Sequence, residues 1–149
     1  MRIRPATADD LDLIVDYNAR LAFESEGKRL DLALLRPGVA ALLADSAKGR
    51  YYLAELAGQV VGQIAFTFEW SDWRNGFFWW IQSVYVHPEH RRAGVFKSLY
   101  RHLEQQAKND GNVIGIRLYV EAENRAAHAT YEKLGLSWTD YHVMERYPL

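Results

Sequence analysis

Phe78-Trp79-Trp80-Ile81-Gln82-Ser83-Val84-Tyr85-Val86-His87-Pro88, followed at once by Glu89-His90-Arg91-Arg92-Ala93-Gly94-Val95-Phe96-Lys97-Ser98, is the stretch on which the fold turns. β-branched and aromatic residues dominate its first part, and Pro88 stops it, as expected of a strand. After Gly94 the apolar residues fall at Val95, Leu99, Leu103 and Ala107, one face of a helix. A strand, a short loop with a glycine and then a helix make an anion site. The first helical amides point back toward the loop, and the positive helix end favours phosphate there. Arg91, Arg92 and Lys97 add full charges. Taken alone, the same junction is also an ordinary strand-to-helix connection whose glycine permits a tight turn. Two other phosphate loops are excluded: Phe96, not glycine, precedes Lys97-Ser98, and no G-x-G-x-x-G occurs.

Working outward, residues 2–5 read as a short opening strand. Thr7 and Asp10 form an N-terminal capping signature, and Leu11, Ile14, Val15 and Leu21 continue a helix. A break is expected at Glu24-Ser25-Glu26-Gly27, then a second helix over about 31–44, with Pro37 at its start or at a kink. Residues 51–56 and 59–68, joined by Ala57-Gly58, make a hairpin, and a second turn over 71–76 leads into the strand 77–86. The remainder reads as helix, strand over 113–120, helix and a last strand over 137–147. The fold class is therefore α/β, a mixed sheet of antiparallel hairpins followed by a βαβ crossover whose two strands run parallel.

A second segment follows the strand at 113–120: Asn124-Arg125-Ala126-Ala127-His128-Ala129-Thr130-Tyr131-Glu132-Lys133-Leu134-Gly135-Leu136. Together the two segments resemble the GCN5-related N-acetyltransferase (GNAT) family. That family carries V-x-P at a strand end, then R-x-x-G-x-G/A opening a helix, and later N-x-x-A-x-x-x-Y-x-x-x-G-[FL]. Here the first motif stands as Arg91-Arg92-Ala93-Gly94-Val95-Phe96, and the second as Asn124, Ala127, Tyr131 and Gly135 at the same spacing. Phe96 departs from the family's usual glycine or alanine, so its side chain must point away from the ligand while its amide stays available.

The resemblance implies a single domain over 1–149 in which two parallel strands splay apart around acetyl-coenzyme A. It implies that Arg92, Ala93, Gly94, Val95, Phe96 and Lys97 wrap the pyrophosphate with their amides, with Arg91 adding charge. Val84, Tyr85 and Val86 pair with the pantetheine arm, an amide at Val84 or Tyr85 polarises the thioester carbonyl, and Asn124 lies near the donor. Tyr131 matches the family's general acid, a phenol with an ordinary pKa near 10 that can pass a proton to the departing thiolate. Many members carry a glutamate where this chain has Gln82, which cannot act as a base. Glu69, Asp72, His87 and Glu121 are the alternatives, and Glu69 is preferred.

The implied reaction is direct acetyl transfer from the thioester to a primary amine of a small molecule or protein. An acyl-coenzyme A sensor without transfer activity is the competing reading, and acceptance by a hydroxyl or use of a longer acyl group stays open. Glu69-Trp70-Ser71-Asp72-Trp73-Arg74 combines acids and indoles suited to a cationic amine, and Glu24 and Glu26 are expected at the same mouth.

Composition narrows the classes further. The chain has 149 residues, enough to bury about two-thirds of its unfolded surface. Eighteen basic and nineteen acidic side chains leave a net charge of -1, which argues against nucleic acid or an anionic membrane as partner. The absence of cysteine removes disulfides, thiolate zinc sites and thiol nucleophiles. No histidine pair has metal-ligand spacing, so no metal is expected. The first residues lack the apolar core of a signal peptide, and a cytoplasmic location is expected. The aromatic last strand, with Trp138, Tyr141 and Tyr147, is either core or a pairing surface for a second copy, dimers being frequent in the family.

Overall fold

The β-branched and aromatic runs become strands. In the computed structural model, which describes Met1–Leu149, one sheet has the order β1 (Arg2–Pro5), β2 (Arg50–Leu56), β3 (Gln59–Ser71), β4 (Gly76–Val86), β5 (Val113–Leu118). Neighbours from β1 to β4 are antiparallel, and β4 and β5 are parallel, as the crossover between them requires. Ala57 and Gly58 both take positive φ, 50° and 80°, which closes the β2–β3 hairpin on two residues with the twist its strands need. β3 runs three residues past the expected end at 68, whereas β5 stops at Leu118 rather than 120.

Four helices accompany the sheet: α1 (Leu11–Glu26), α2 (Leu32–Ala44), α3 (Val95–Asp110) and α4 (Arg125–Lys133). One sheet face is covered by α1 and α2, where Ile14 and Val39 pack with Tyr51, Leu53 and Ala65. The other face belongs to α3, whose Val95, Leu99, Leu103 and Ala107 are all buried at the four-residue spacing read from the sequence. A Cβ on Gly62 of β3 would lie 2.9 Å from a Val95 methyl, so the start of α3 sits hard against the sheet.

One helix boundary differs from expectation. The break expected at Glu24-Ser25-Glu26 is helix, because the chain turns only at Gly27, whose φ of 64° supplies the left-handed cap. Glu24 therefore stands on the face of Tyr17, seven residues and two turns earlier. Pro37, expected at the start of the second helix or at a kink, lies inside α2.

The chain separates into two compact units, Met1–Leu118 with the whole sheet and Tyr119–Leu149 with α4. The strand expected over 137–147 is not formed, and the segment has no regular secondary structure. Strand propensity is not sufficient, since a strand exists only through ladder bonds to a neighbour. Trp138, Tyr141 and Tyr147 are correspondingly exposed.

Candidate active site

The two halves of β4 differ in pairing. β5 is in register with it only from Phe77↔Val113 to Ile81↔Leu118, while β3 follows it to Gly62↔Val86. Residues 82–86 thus have a strand on one side only, and the backbone groups of their other edge, apart from the Val86 carbonyl that Arg91 takes, are left for an added strand. The expected splay is here.

A bulge lies at the same point. Ile64 faces Val84 and Phe66 faces Ile81, so two steps along β3 oppose three along β4. The extra residue, at Gln82-Ser83, resets the alternation. Without it Tyr85 would share the α3 face with Trp79 and Ile81; with it, Tyr85 turns to the α1 face, its ring 4.8 Å from that of Tyr17. Val84 and Val86 pair with Ile64 and Gly62, on the α3 side.

The loop before α3 is built on left-handed residues. Gly94 takes φ 78° and Arg92 takes φ 65°, both left-handed, with Ala93 between them. A Cβ on Gly94 would meet no atom within 4 Å, so glycine is needed there for conformation and not for space. The first helical bond is Ser98 N–H to the Gly94 carbonyl at 3.0 Å, and no side chain caps the helix. The amides of Val95, Phe96 and Lys97 therefore have no intrahelical acceptor. Phe96 lies over Tyr100, ring centroids 6.2 Å apart, one turn along α3. Arg92 and Lys97 are exposed. The loop's dihedrals, the bare helix end and the open space at Gly94 fit a diphosphate.

Arg91 is directed elsewhere. Its Nε–H donates to the Val86 carbonyl at 3.0 Å, and its Nη2 pairs with Glu24 Oε2. The other Glu24 oxygen accepts the Tyr85 hydroxyl at 3.0 Å. The Arg91 guanidinium, then Tyr85, hold Glu24 below the usual carboxylate range against the desolvation that opposes them. Burial, then the Glu24 carboxylate, pushes the Tyr85 phenol up, so it stays a neutral donor.

Glu69 lies far from this group. Its Oε2 accepts from Arg117 at 2.8 Å and from the Trp80 indole at 3.1 Å. Five steps along β3 separate it from Ile64, opposite Val84, which is about 16 Å along a strand. That distance and the ion pair set Glu69 against the direct base role read from the sequence. The neighbouring indoles are with it at the β3–β4 turn: Trp70 packs edge-on to Phe77 at 4.9 Å and Trp73 is exposed. The acids and indoles of 69–74 and the Glu24 carboxylate therefore do not share one mouth. Gln82 Nε2 donates to Thr67 Oγ1 at 3.0 Å.

The turn after β4 also gathers His87, Glu89 and His90, whose ligand atoms lie within 4.8 Å of one another. Sequence spacing passed over this group, because a short 3-10 turn brings the two imidazoles together. His87 Nδ1 is shielded and has no hydrogen-bond partner.

In the second unit, Asn124 caps α4, its Oδ1 accepting the Ala127 amide at 3.1 Å. Tyr131 sits in the last turn of α4, and burial pushes its phenol up, so it keeps its proton at neutral pH.

Comparison with known proteins shows the family and the fold. The model of the acetyltransferase (GNAT) family matches residues 16–136. A phosphinothricin N-acetyltransferase of Streptomyces viridochromogenes is 30% identical over 113 residues, 74% of this chain and 61% of that protein. The match thus spans about three-fifths of the curated relative's length. The crystal structure of a possible acetyltransferase from Clostridium difficile 630 superposes with a TM-score of 0.94 at 49% identity, covering 99% of this chain and 97% of that one. A ribosomal-protein-alanine N-acetyltransferase from Brucella melitensis biovar Abortus 2308 shares the fold at a TM-score of 0.76 and 20% identity, over 97% of this chain and 100% of that one.

Proposed function

Because the chain belongs to the acetyltransferase (GNAT) family, we propose that it transfers an acetyl group from acetyl-coenzyme A directly to a primary amine. The observation that carries this reading is the one-sided pairing of 82–86, ending beside the uncapped start of α3. The amides of Val95, Phe96 and Lys97 and the left-handed residues Arg92 and Gly94 bind the diphosphate. Of the proposed pantetheine contacts Val84, Tyr85 and Val86, Tyr85 is hydrogen-bonded to Gln63 of β3, so the free edge that aligns the arm is that of Val84 and Val86, and an amide there stabilises the developing oxyanion. Asn124 is first a helix cap, and its place near the donor rests on the motif alone.

Tyr131 is the proposed acid, on its register in the second motif and a phenol that burial keeps protonated. The acceptor must be neutral when it attacks the thioester. An alkylamine is neutral in only about one molecule in 2,500 at pH 7, a cost of roughly 4.6 kcal/mol. Glu69 is too distant to take that proton directly, so it leaves through water, and Glu69 serves to hold Arg117. The 30% identical relative, named for acetylating phosphinothricin, favours a small molecule over a protein as acceptor.

A coenzyme A sensor is favoured by one observation: Gln82 stands at the bulge, engaged to Thr67, with no carboxylate in its place. Thiol release from acetyl-coenzyme A across a panel of primary amines tests the enzyme reading. Tight donor binding with no thiol released by any amine would assign the protein to the sensor class.

A further inference from the structure

Glu24, Tyr85 and Tyr17 form a cation site that Arg91 now fills. Glu24 supplies the charge and the Tyr85 hydroxyl fixes its second oxygen at 3.0 Å. The Tyr85 ring lies 5.6 Å from the Arg91 guanidinium carbon, with the Tyr17 ring 4.8 Å from that of Tyr85. A carboxylate beside an aromatic face is what an alkylammonium requires. Arg20 also acts on Tyr85 and Glu24, but its own charge is paired with Asp16 at 2.8 Å.

Arg91 can leave. Its side chain is 46% exposed, and it belongs to the loop whose amides face the diphosphate. A diphosphate carries more negative charge than one carboxylate and accepts a guanidinium through two parallel bonds. We propose that donor binding draws Arg91 off Glu24, and that the vacated Glu24–Tyr85 site then binds the ammonium of a small alkylamine acceptor. This rests on the proposed acetyl-coenzyme A reading. Arg91 is thus a resident stand-in for the acceptor's cation, and the donor precedes the acceptor. Coupling between the two ligands is reciprocal, as binding linkage demands. The amine gives up its proton only after it is seated, since the carboxylate selects the charged form.

Calorimetric titrations with coenzyme A and with 1,4-diaminobutane test the exchange in the wild-type chain, Glu24→Gln and Arg91→Ala, each first checked for folding by its thermal melt. In the wild type, 1,4-diaminobutane binds only when coenzyme A is present. Glu24→Gln frees Arg91, so coenzyme A binds about three- to tenfold tighter while the diamine is lost. Arg91→Ala empties the cation site, so the diamine binds without coenzyme A while coenzyme A weakens. This gain of binding is what a merely structural Arg91–Glu24 pair would not produce. Equal diamine binding to the wild type and to Glu24→Gln when both are loaded with coenzyme A, or no diamine binding to Arg91→Ala, overturns the proposal. If coenzyme A binds none of the three chains, the donor reading fails, and the diamine titration of Arg91→Ala still decides the cation site.

Discussion

Gly94 offers the sharpest test of the phosphate loop, because its replacement separates backbone strain from charge. Its φ of 78° costs an ordinary residue about 1–2 kcal/mol, and asparagine and aspartate tolerate that region best. No atom lies within 4 Å of its Cβ position, so steric clash adds nothing. Gly94→Asn and Gly94→Asp should each lose about 1 kcal/mol of stability, a fall in Tm of roughly 2–4 °C for a chain of this size. They part company on the ligand. A carboxylate about 6 Å from a bound phosphate charge is repelled by roughly 3 kcal/mol at an effective dielectric of 20. Screening at physiological salt reduces this, so Gly94→Asp should bind coenzyme A about ten- to a hundredfold more weakly than Gly94→Asn. Isothermal titration at two ionic strengths reads the ratio, which should shrink as salt rises. A ratio near one at low salt would refute the placing of the diphosphate at this helix end.

Three further outcomes are expected. Tyr131→Phe should slow thiol release by about 10²- to 10⁴-fold with coenzyme A affinity kept; unchanged turnover would remove the phenol from the reaction. Asp10 takes both Arg4 Nη atoms at 2.8 Å and the Thr7 amide at 2.8 Å, and Arg4 lowers its pKa most. A carboxylate depressed in the folded state contributes stability above its unfolded pKa and loses it as pH falls through the folded one. Asp10→Asn should therefore cost about 1.5–3 kcal/mol at pH 7, and urea melts should show the gap closing below about pH 4; a gap independent of pH would contradict the ion pair. Leu103, fully buried in α3, should cost about 2–5 kcal/mol as alanine in the same melts.

Much of the fold was legible because its signals are local. The four-residue apolar spacing of α3, the two-residue turn at Ala57-Gly58 and the aromatic run of β4 each depend on side chains within a few positions of one another. The misread elements lack that property. α1 runs on through polar Glu24-Ser25-Glu26 because nothing breaks a helix before Gly27. The 137–147 segment carries strand propensity but no ladder.

The site divides the same way. The loop from Arg91 to Phe96 and the Asn124 cap could be read by spacing, since dihedrals and capping are short-range properties. The two-against-three step at Gln82-Ser83 could not, because a bulge is defined by the partner strand and not by the strand that contains it. That step turns Tyr85 toward α1 and lets it meet Glu24, 61 positions away in the chain. Arg91 reaches the same carboxylate across 67 positions, and Glu69 is removed from it by register. The sequence by itself determined the family, the sheet's parallel crossover and the glycine turn that opens α3. Only the tertiary structure decided which charges meet, because periodicity carries no information about contacts between elements distant along the chain.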